Sequence, residues 1–247
     1  MHPSSSPFSL PNVKLQVFHQ PLRILITGFG RFPGTHSNPT EWLIKALRQE
    51  QNNLARLRIE LHLAVLPVDY SSLMERLDRL EQEVKPDIIL HFGLATKRRA
   101  FCLEMRALNR LNLLRCDALG HRPKTRTVVP GGAQILHSRF PAKMIEAAWH
   151  RAGLRARLSH HPGAYLCNAA LYLSLANSAA ETIGFIHVPK IGFAGQEPCA
   201  ASLHARPQRT ELLRAALIAI HVTAMHSRRM RAHVDLPTAL DPACALA

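Results

Sequence analysis

The 247-residue chain is predicted to form an α/β fold with a mostly parallel sheet. Between residues 23 and 93, short apolar runs alternate with segments of helical periodicity, in the order strand, helix, strand, helix, strand. The same alternation returns between residues 141 and 227. This rhythm is typical of a parallel sheet with helices packed on its faces.

Local signals in the first part of the chain predict where its helices begin. Asn38 precedes Pro39, and Glu41 occupies the third helical position, which is the pattern of a helix N-terminus. Ser72 and Glu75 form a second such pattern, a capping box. We therefore predict strands over residues 23–28, 57–65 and 87–93, and helices over residues 39–51 and 73–84.

The stretch 94–136 interrupts this rhythm. It carries nine Lys or Arg residues against two acidic ones, so it supplies about half of the net charge. Residues 101–108 predict a strand there, and the rest predicts a loop excursion. Afterwards we predict helices over residues 141–152, 164–180 and 210–227, and strands over residues 154–159 and 183–189.

Composition indicates an ordered chain, and the length fits one large domain or two small ones. It is 47% hydrophobic and 19% charged, which excludes collagen and a wholly disordered chain. With no repeat or linker visible, we expect a loose leader over residues 1–20, one domain over 21–229 and a tail over 230–247. The uncharged run 158–180 contains His, Pro, Gly and Asn, which argues against a membrane span. Five cysteines without a CxxC pair indicate free thiols in a reducing, cytoplasmic compartment.

The charge balance is strongly basic, with a formal net charge of +14. Nucleic acid, an anionic membrane surface and an acidic substrate all fit such a balance. The basic runs 97–99 and 228–231 are interpreted as solvated surface, because no aromatic residues are interleaved with them as a stacking platform requires. Nucleic acid would then bind non-specifically, through charge alone.

Three residues suggest nucleophilic catalysis. Cys167 follows a strand and a Pro-Gly turn, and the first turn of a helix favours a thiolate; the alternative is a small buried core cysteine. His187 lies near the end of an apolar strand, as a general base to a thiol or as a core histidine. Glu104 could orient that histidine, or it could pair with Arg106 or another nearby cation.

Together these residues resemble the pyroglutamyl peptidase type I family, the pyrrolidone-carboxylate peptidases. The resemblance runs from residue 23 to 191 and more weakly through the last helix. Seven weak motifs occur in the family's order, which makes the match strong. They are Thr27-Gly-Phe-Gly-Arg-Phe32, Asn38-Pro39, Leu66-Pro-Val-Asp-Tyr70, Lys85-Pro-Asp-Ile-Ile89, Glu104-x-x-Ala-Leu-Asn109, Gly163-Ala-Tyr-Leu-Cys-Asn168 and Gly184-Phe-Ile-His-Val-Pro189.

The resemblance implies a single three-layer α/β/α sandwich that removes N-terminal 5-oxoproline from peptides through a thioester. Cys167 would be the nucleophile, His187 the general base and acid, and Glu104 the residue that orients His187. Phe29 and Phe32 would wall the apolar face of the lactam, with Asn38 as a polar group near the substrate. The resemblance implies no metal or cofactor, and self-association as a dimer or tetramer.

Two departures from the family pattern fall near this site. Leu94 stands where family members carry a glutamine after the third strand. The position in register with a family arginine is Leu114, and Arg115, one residue later, is the alternative. These departures leave a second hypothesis open, a cysteine hydrolase of the same fold with altered specificity or low activity. A third hypothesis is a basic nucleic-acid-binding protein on this scaffold.

Overall fold

The computed structural model describes residues 20–35, 37–192 and 206–234. The predicted leader, Cys199, Cys244 and the tail beyond residue 234 lie outside these ranges, apart from Gln20. Strands and helices alternate through most of the described chain. They are β1 (Leu22–Phe29), α1 (Pro39–Gln49), α2 (Gln51–Arg56), β2 (Ile59–Leu66), α3 (Leu73–Val84), β3 (Ile88–Leu94), β4 (Phe101–Glu104), β5 (Arg106–Leu108), β6 (Ile135–His137), α4 (Ala142–Arg151), β7 (Ala156–Ser159), α5 (Leu166–Asn177), β8 (Thr182–Val188) and α6 (Arg209–Val234).

Six strands form the central sheet in the order β2-β1-β3-β8-β4-β7. Every neighbouring pair in it is parallel except β8 with β4, which is antiparallel. The predicted α/β fold with a mostly parallel sheet is therefore confirmed. The carboxyl ends of β1, β3 and β8 share one edge of the sheet, where open α/β sheets bind ligands.

Apolar cores on both faces make the molecule a three-layer sandwich. One core packs α1, α4 and α6 against the sheet, and the other packs α3 and α5 against the opposite face. Successive strand residues alternate between the two cores, as Leu25 and Ile26 do. A strand that is buried on both faces carries apolar residues at successive positions instead of alternating apolar and polar ones. This explains the continuous apolar runs of β1, β3 and β8.

Helix beginnings follow the sequence signals in one case and not in the other. The Asn38 side chain accepts a hydrogen bond from the Thr40 amide at 3.1 Å, and Pro39 opens α1, so that prediction is confirmed. Ser72 makes no capping hydrogen bond to α3, so the predicted capping box is wrong. The Ser72 side chain instead hydrogen-bonds Asp69 and helps to lower the pKa of that carboxyl.

Element boundaries differ most clearly from prediction in three places. The predicted strand 101–108 is two strands, because the chain leaves the central sheet at Met105 and β5 then pairs with β6. The predicted strand 57–65 begins at Ile59, after the short helix α2. The last helix continues to Val234, so residues 230–234 are helix rather than tail. Arg231 there pairs with Asp87 and Glu181, long-range contacts that no local pattern reveals.

A buried histidine ties three elements together. His91 on β3 is fully buried between the hydroxyls of Thr27 on β1, at 2.7 Å, and Ser174 on α5, at 3.1 Å. Burial lowers the pKa of His91 to about 3, so the ring is neutral at physiological pH. This tie fastens the helix that begins at the predicted nucleophile.

Over the described ranges, no helix is both long enough and apolar enough to cross a bilayer. Cys102, Cys116 and Cys167 are free thiols.

Candidate active site

A cavity of about 470 Å³ opens at the carboxyl edge of the sheet. Seven of the eight site residues predicted from sequence line it, and the eighth, Glu104, lies behind one of them. The lining residues from that prediction are Phe29, Phe32, Asn38, Leu94, Arg115, Cys167 and His187. Residues far apart in the chain therefore converge on one space.

Cys167 is the second residue of α5 and is partly exposed. Gly163, with φ of 85°, makes the left-handed turn that leads into this helix. Gly93 on β3 leaves the room that the sulfur needs. A β-carbon on Gly93 would lie 2.8 Å from Cys167 Sγ and 2.6 Å from the ring of Phe185, closer than packed atoms approach.

His187 and Glu104 form a direct hydrogen bond, 2.8 Å from His187 Nδ1 to Glu104 Oε1. Both side chains are buried, and β8 and β4 supply them from adjacent strands. An ionised carboxylate can only accept, so Nδ1 donates and Nε2 is left as the basic nitrogen of the ring. The ring of Phe185 packs 4.7 Å from that of His187, which restricts its orientation.

Arg98 holds the carboxylate from another side. Its guanidinium lies 3.1 Å from Glu104 Oε1 and donates to Ser159 Oγ at 2.8 Å. Burial alone would raise the pKa of Glu104, but the hydrogen bond and charge of His187, with Ser159 and Arg98, bring it below its ordinary value. Glu104 is therefore ionised at neutral pH and accepts the Nδ1–H of His187.

The pKa of Cys167 runs opposite to the thiolate expected from its helix position. Burial raises it to about 12, while the charge of Arg115 lowers it and that of Glu104 raises it. Burial therefore outweighs the favourable helix N-terminus, and the resting group is a neutral thiol.

Aromatic residues wall one side of the cavity. Phe32 and Tyr165 meet edge to face, 6.4 Å between ring centroids, and Phe29 packs against Phe185 at the same distance. Leu94 is buried, with 8% of its surface exposed, and extends this apolar wall. Such a lining suits a small neutral ring.

Asn38 lines the cavity, but most of the hydrogen-bonding groups of its side chain already have partners in the protein. Its side-chain oxygen accepts from the amide and the hydroxyl of Thr40, and its amide nitrogen donates to Gly30 O at 2.9 Å. An asparagine amide carries two N–H groups, so one remains for a ligand. The residue thus serves as helix cap first and as polar contact second.

Arg115, and not Leu114, provides a positive charge at the cavity. Its guanidinium carbon lies 3.9 Å from the centroid of the Tyr165 ring, a cation–π contact. Leu114 is 79% exposed and lies outside the lining. Of the two readings of this departure, the structure places Arg115 at the cavity.

The loop that carries Arg115 is fastened by a buried carboxylate. Asp117 accepts from the amides of Tyr70, Leu119 and His121. Asp69 and His121 lie within ligand distance of Asp117 and form, in the described part of the chain, a group that could hold a metal ion. Local hydrogen bonds already use both carboxylate oxygens of Asp117 and both of those of Asp69.

Sequence reasoning missed three residues of this site. Arg98 was assigned to a solvated basic run, Tyr165 was passed over within a family motif, and Ser159 carried no signal. The two former residues stood inside motifs already singled out, so the signal for them was present.

Comparison with known proteins points to one family. A sequence model described as pyroglutamyl peptidase matches residues 22–223. Pyrrolidone-carboxylate peptidase from Pyrococcus furiosus is 36% identical over 174 residues, 69% of this chain and 82% of that protein. The corresponding protein from Thermococcus onnurineus is 34% identical over 174 residues, 69% of this chain and 84% of that one.

Solved structures extend the match to the fold. The crystal structure of pyrrolidone carboxyl peptidase from Thermus thermophilus has a TM-score of 0.69 at 36% identity, covering 81% of this chain and 99% of that one. A mutant pyrrolidone carboxyl peptidase from Pyrococcus furiosus has a TM-score of 0.74 at 32% identity, covering 83% and 99%. Because sequence and fold agree over most of its length, the chain belongs to the pyroglutamyl peptidase family.

Proposed function

We propose that this protein is a cysteine peptidase that removes an N-terminal pyroglutamyl residue from peptides, with Cys167 as nucleophile. The observation that carries the proposal is the 2.8 Å hydrogen bond between His187 and Glu104, in a cavity that His187 shares with Cys167. A thiol, a base and a carboxylate that orients the base are the parts that acyl transfer requires.

The substrate ring would lie against the aromatic wall. A lactam is neutral and small, and Phe29, Phe32 and Tyr165 offer it apolar contact without charge. The free N–H of Asn38 is one available donor to its carbonyl group. The positive charge of Arg115 favours the oxyanion that develops at the reacting carbonyl.

The proton balance of the reaction follows from the pKa shifts. Because the Cys167 thiol is neutral at rest, His187 Nε2 takes its proton as Sγ attacks the pyroglutamyl carbonyl carbon. Glu104 stabilises the imidazolium that results. His187 then gives the proton to the leaving amine as the C–N bond breaks, which leaves a thioester. Water, deprotonated by His187, then attacks the thioester carbon. The C–S bond breaks, His187 returns the proton to Sγ, and pyroglutamate is released.

Hydrolysis of a fluorogenic pyroglutamyl amide by the purified full-length protein tests this proposal. Turnover is expected, and substitution Cys167→Ser should abolish it, whereas Cys102→Ser should retain it. A prolyl amide is the control substrate, since it keeps the five-membered ring but has a basic amine in place of the neutral lactam. Equal turnover by the Cys167→Ser variant would overturn the mechanism.

A second candidate is the same chemistry on another acyl group. Leu94 on the cavity wall favours it, because a leucine offers a lactam no hydrogen bond. Comparison of pyroglutamyl amides with amides of other small apolar acids distinguishes the two. Cytoplasmic location and self-association stay predictions; the free thiols of Cys102, Cys116 and Cys167 fit the former.

A further inference from the structure

A second cavity, of about 400 Å³, lies beside the first and is strongly basic. Five of its eight lining residues are lysine or arginine. The full lining is Thr96, Lys97, Arg98, Arg99, Pro189, Lys190, Arg206 and Pro207. Thr96, Lys97 and Arg98 line both cavities, so the two spaces share a wall.

Four of the five cations have no anionic partner within the described residues. Arg98 is engaged by Glu104. The others are Lys97, Arg99, Lys190 and Arg206, all exposed, and none forms an ion pair with a described carboxylate. We call the cavity that these four residues line the basic pocket. Like charges gathered around one space repel each other, and a bound anion relieves that repulsion.

The position of His187 relates the basic pocket to the leaving part of a substrate. The aromatic wall that would contact the acyl ring lies at the end of β1, where Phe29 and Phe32 are found. A general acid must stand beside the nitrogen that it protonates, so the leaving peptide passes on the His187 side. Two residues beyond His187, β8 leads into Pro189 and Lys190, which line the basic pocket.

We propose that the basic pocket receives a carboxylate of the leaving peptide, so that the preferred substrates are pyroglutamyl peptides that are acidic just after the scissile bond. The carboxylate could belong to an Asp or Glu side chain or to the C-terminus of a short peptide. This inference rests on the proposed function, because it names the substrate class of the same site.

Three peptides of matched length separate these sources. They are pGlu-Ala-Ala-amide, pGlu-Glu-Ala-amide and pGlu-Ala-Ala with a free carboxylate, compared by kcat/KM at low salt. One or both acidic peptides should exceed the neutral one by roughly three- to thirtyfold, since each exposed ion pair contributes little by itself. The preference should shrink towards one at high salt, where screening is strong.

Charge-reversal variants test whether the preference for acidic peptides arises in the basic pocket. The double variant Lys97→Glu/Lys190→Glu should abolish or invert the preference, and Lys190→Gln should reduce it. Lys143→Glu on the exposed face of α4 is the matched control, because Lys143 lines neither cavity, and it should leave the ratio unchanged. An unchanged ratio in the double variant would overturn the inference.

The neutral peptide separates this inference from the proposed function. If it is cleaved and all three peptides have equal kcat/KM, the basic pocket proposal alone is wrong. If no peptide is cleaved, the proposed function fails. The pocket proposal is then tested by measuring the Kd of the Cys167→Ser variant for the same three peptides. Equal Kd values for all three would overturn the pocket proposal too. Salt-resistant oligonucleotide binding that Lys190→Glu abolishes, without a peptide preference, would assign the pocket to nucleic acid instead.

Discussion

His187 and Glu104 meet diagonally across the antiparallel pair β8–β4. Cys102 stands opposite His187 in the register, and Glu104 stands opposite Phe185, two positions deeper into the sheet. Diagonal neighbours on one face of such a pair are within reach of each other. Because β4 runs against β8, Glu104 approaches His187 from beneath and is fully buried, while the histidine remains near the cavity.

Substitution Glu104→Gln should lower kcat by roughly 10²–10⁴ with a folded protein, because an amide neither selects the Nδ1–H form of His187 nor stabilises its positive charge. Steady-state kinetics on a pyroglutamyl amide measure this loss. Glu83→Gln, on the exposed face of α3, is the control and should have no effect. A kcat within a few-fold of the parent would show that His187 does not depend on Glu104.

Alkylation of Cys167 should be slow at neutral pH and should rise as pH increases. Burial holds its pKa near 12, so the reactive thiolate gains about tenfold per pH unit through the alkaline range. Peptide mass spectrometry after timed iodoacetamide treatment separates Cys167 from Cys102 and Cys116. Arg115→Gln removes a charge that lowers this pKa and should slow the reaction further. Fast alkylation that is constant between pH 5 and 8 would instead indicate a preformed thiolate–imidazolium pair.

Leu94→Gln should raise kcat/KM on a pyroglutamyl amide by roughly ten- to hundredfold. A lactam group buried without a partner costs about 1–3 kcal/mol, and about 1.4 kcal/mol corresponds to tenfold in rate. Leu94→Ala adds space without a donor or acceptor and should give no gain. If the glutamine variant folds well and is no faster, the lactam already has another partner, and Asn38 is the first to examine.

Gly93→Ala should reduce kcat/KM by roughly a hundredfold, because the added β-carbon must displace the Cys167 sulfur or the Phe185 ring. Overpacking should also lower the free energy of unfolding by about 1–3 kcal/mol, measured by denaturant titration. Gly192→Ala is the matched control, since among the described residues the nearest atoms to its new β-carbon lie at 3.8 Å, an ordinary contact. Full activity in Gly93→Ala would mean that the sulfur has room to move.

Local patterns predicted most of the fold, and they failed where distant contacts decide. The apolar runs of β1, β3 and β8 and the cap at Asn38 are properties of short segments. The end of α6 depends on Arg231 meeting Asp87 and Glu181, which sequence spacing does not show. Likewise, the break at Met105 depends on its backbone bonds to Ser159 and Ser138.

The sequence was sufficient to find the main site residues but not to predict how deeply each one is buried. Cys167, His187 and Glu104 were found as residue types in family order, and the structure groups them. Burial raises the pKa of Cys167, against the direction that its helix position favours, because the packing around a thiol is set by the whole fold. Arg98 illustrates the same limit: a run of three cations looks solvated, yet its middle member reaches a buried carboxylate.

The neutral histidine inside the sheet makes the stability of the fold depend on pH. In an unfolded chain His91 has a pKa near 6.5, whereas burial lowers its pKa to about 3 in the folded protein. The free energy of unfolding therefore declines as pH falls through that interval, by up to about 1.4 kcal/mol per pH unit. The same imidazole holds Ser174 on the helix of Cys167. Protonation of His91 would thus loosen the sheet and the helix of the nucleophile together, because one imidazole joins the two.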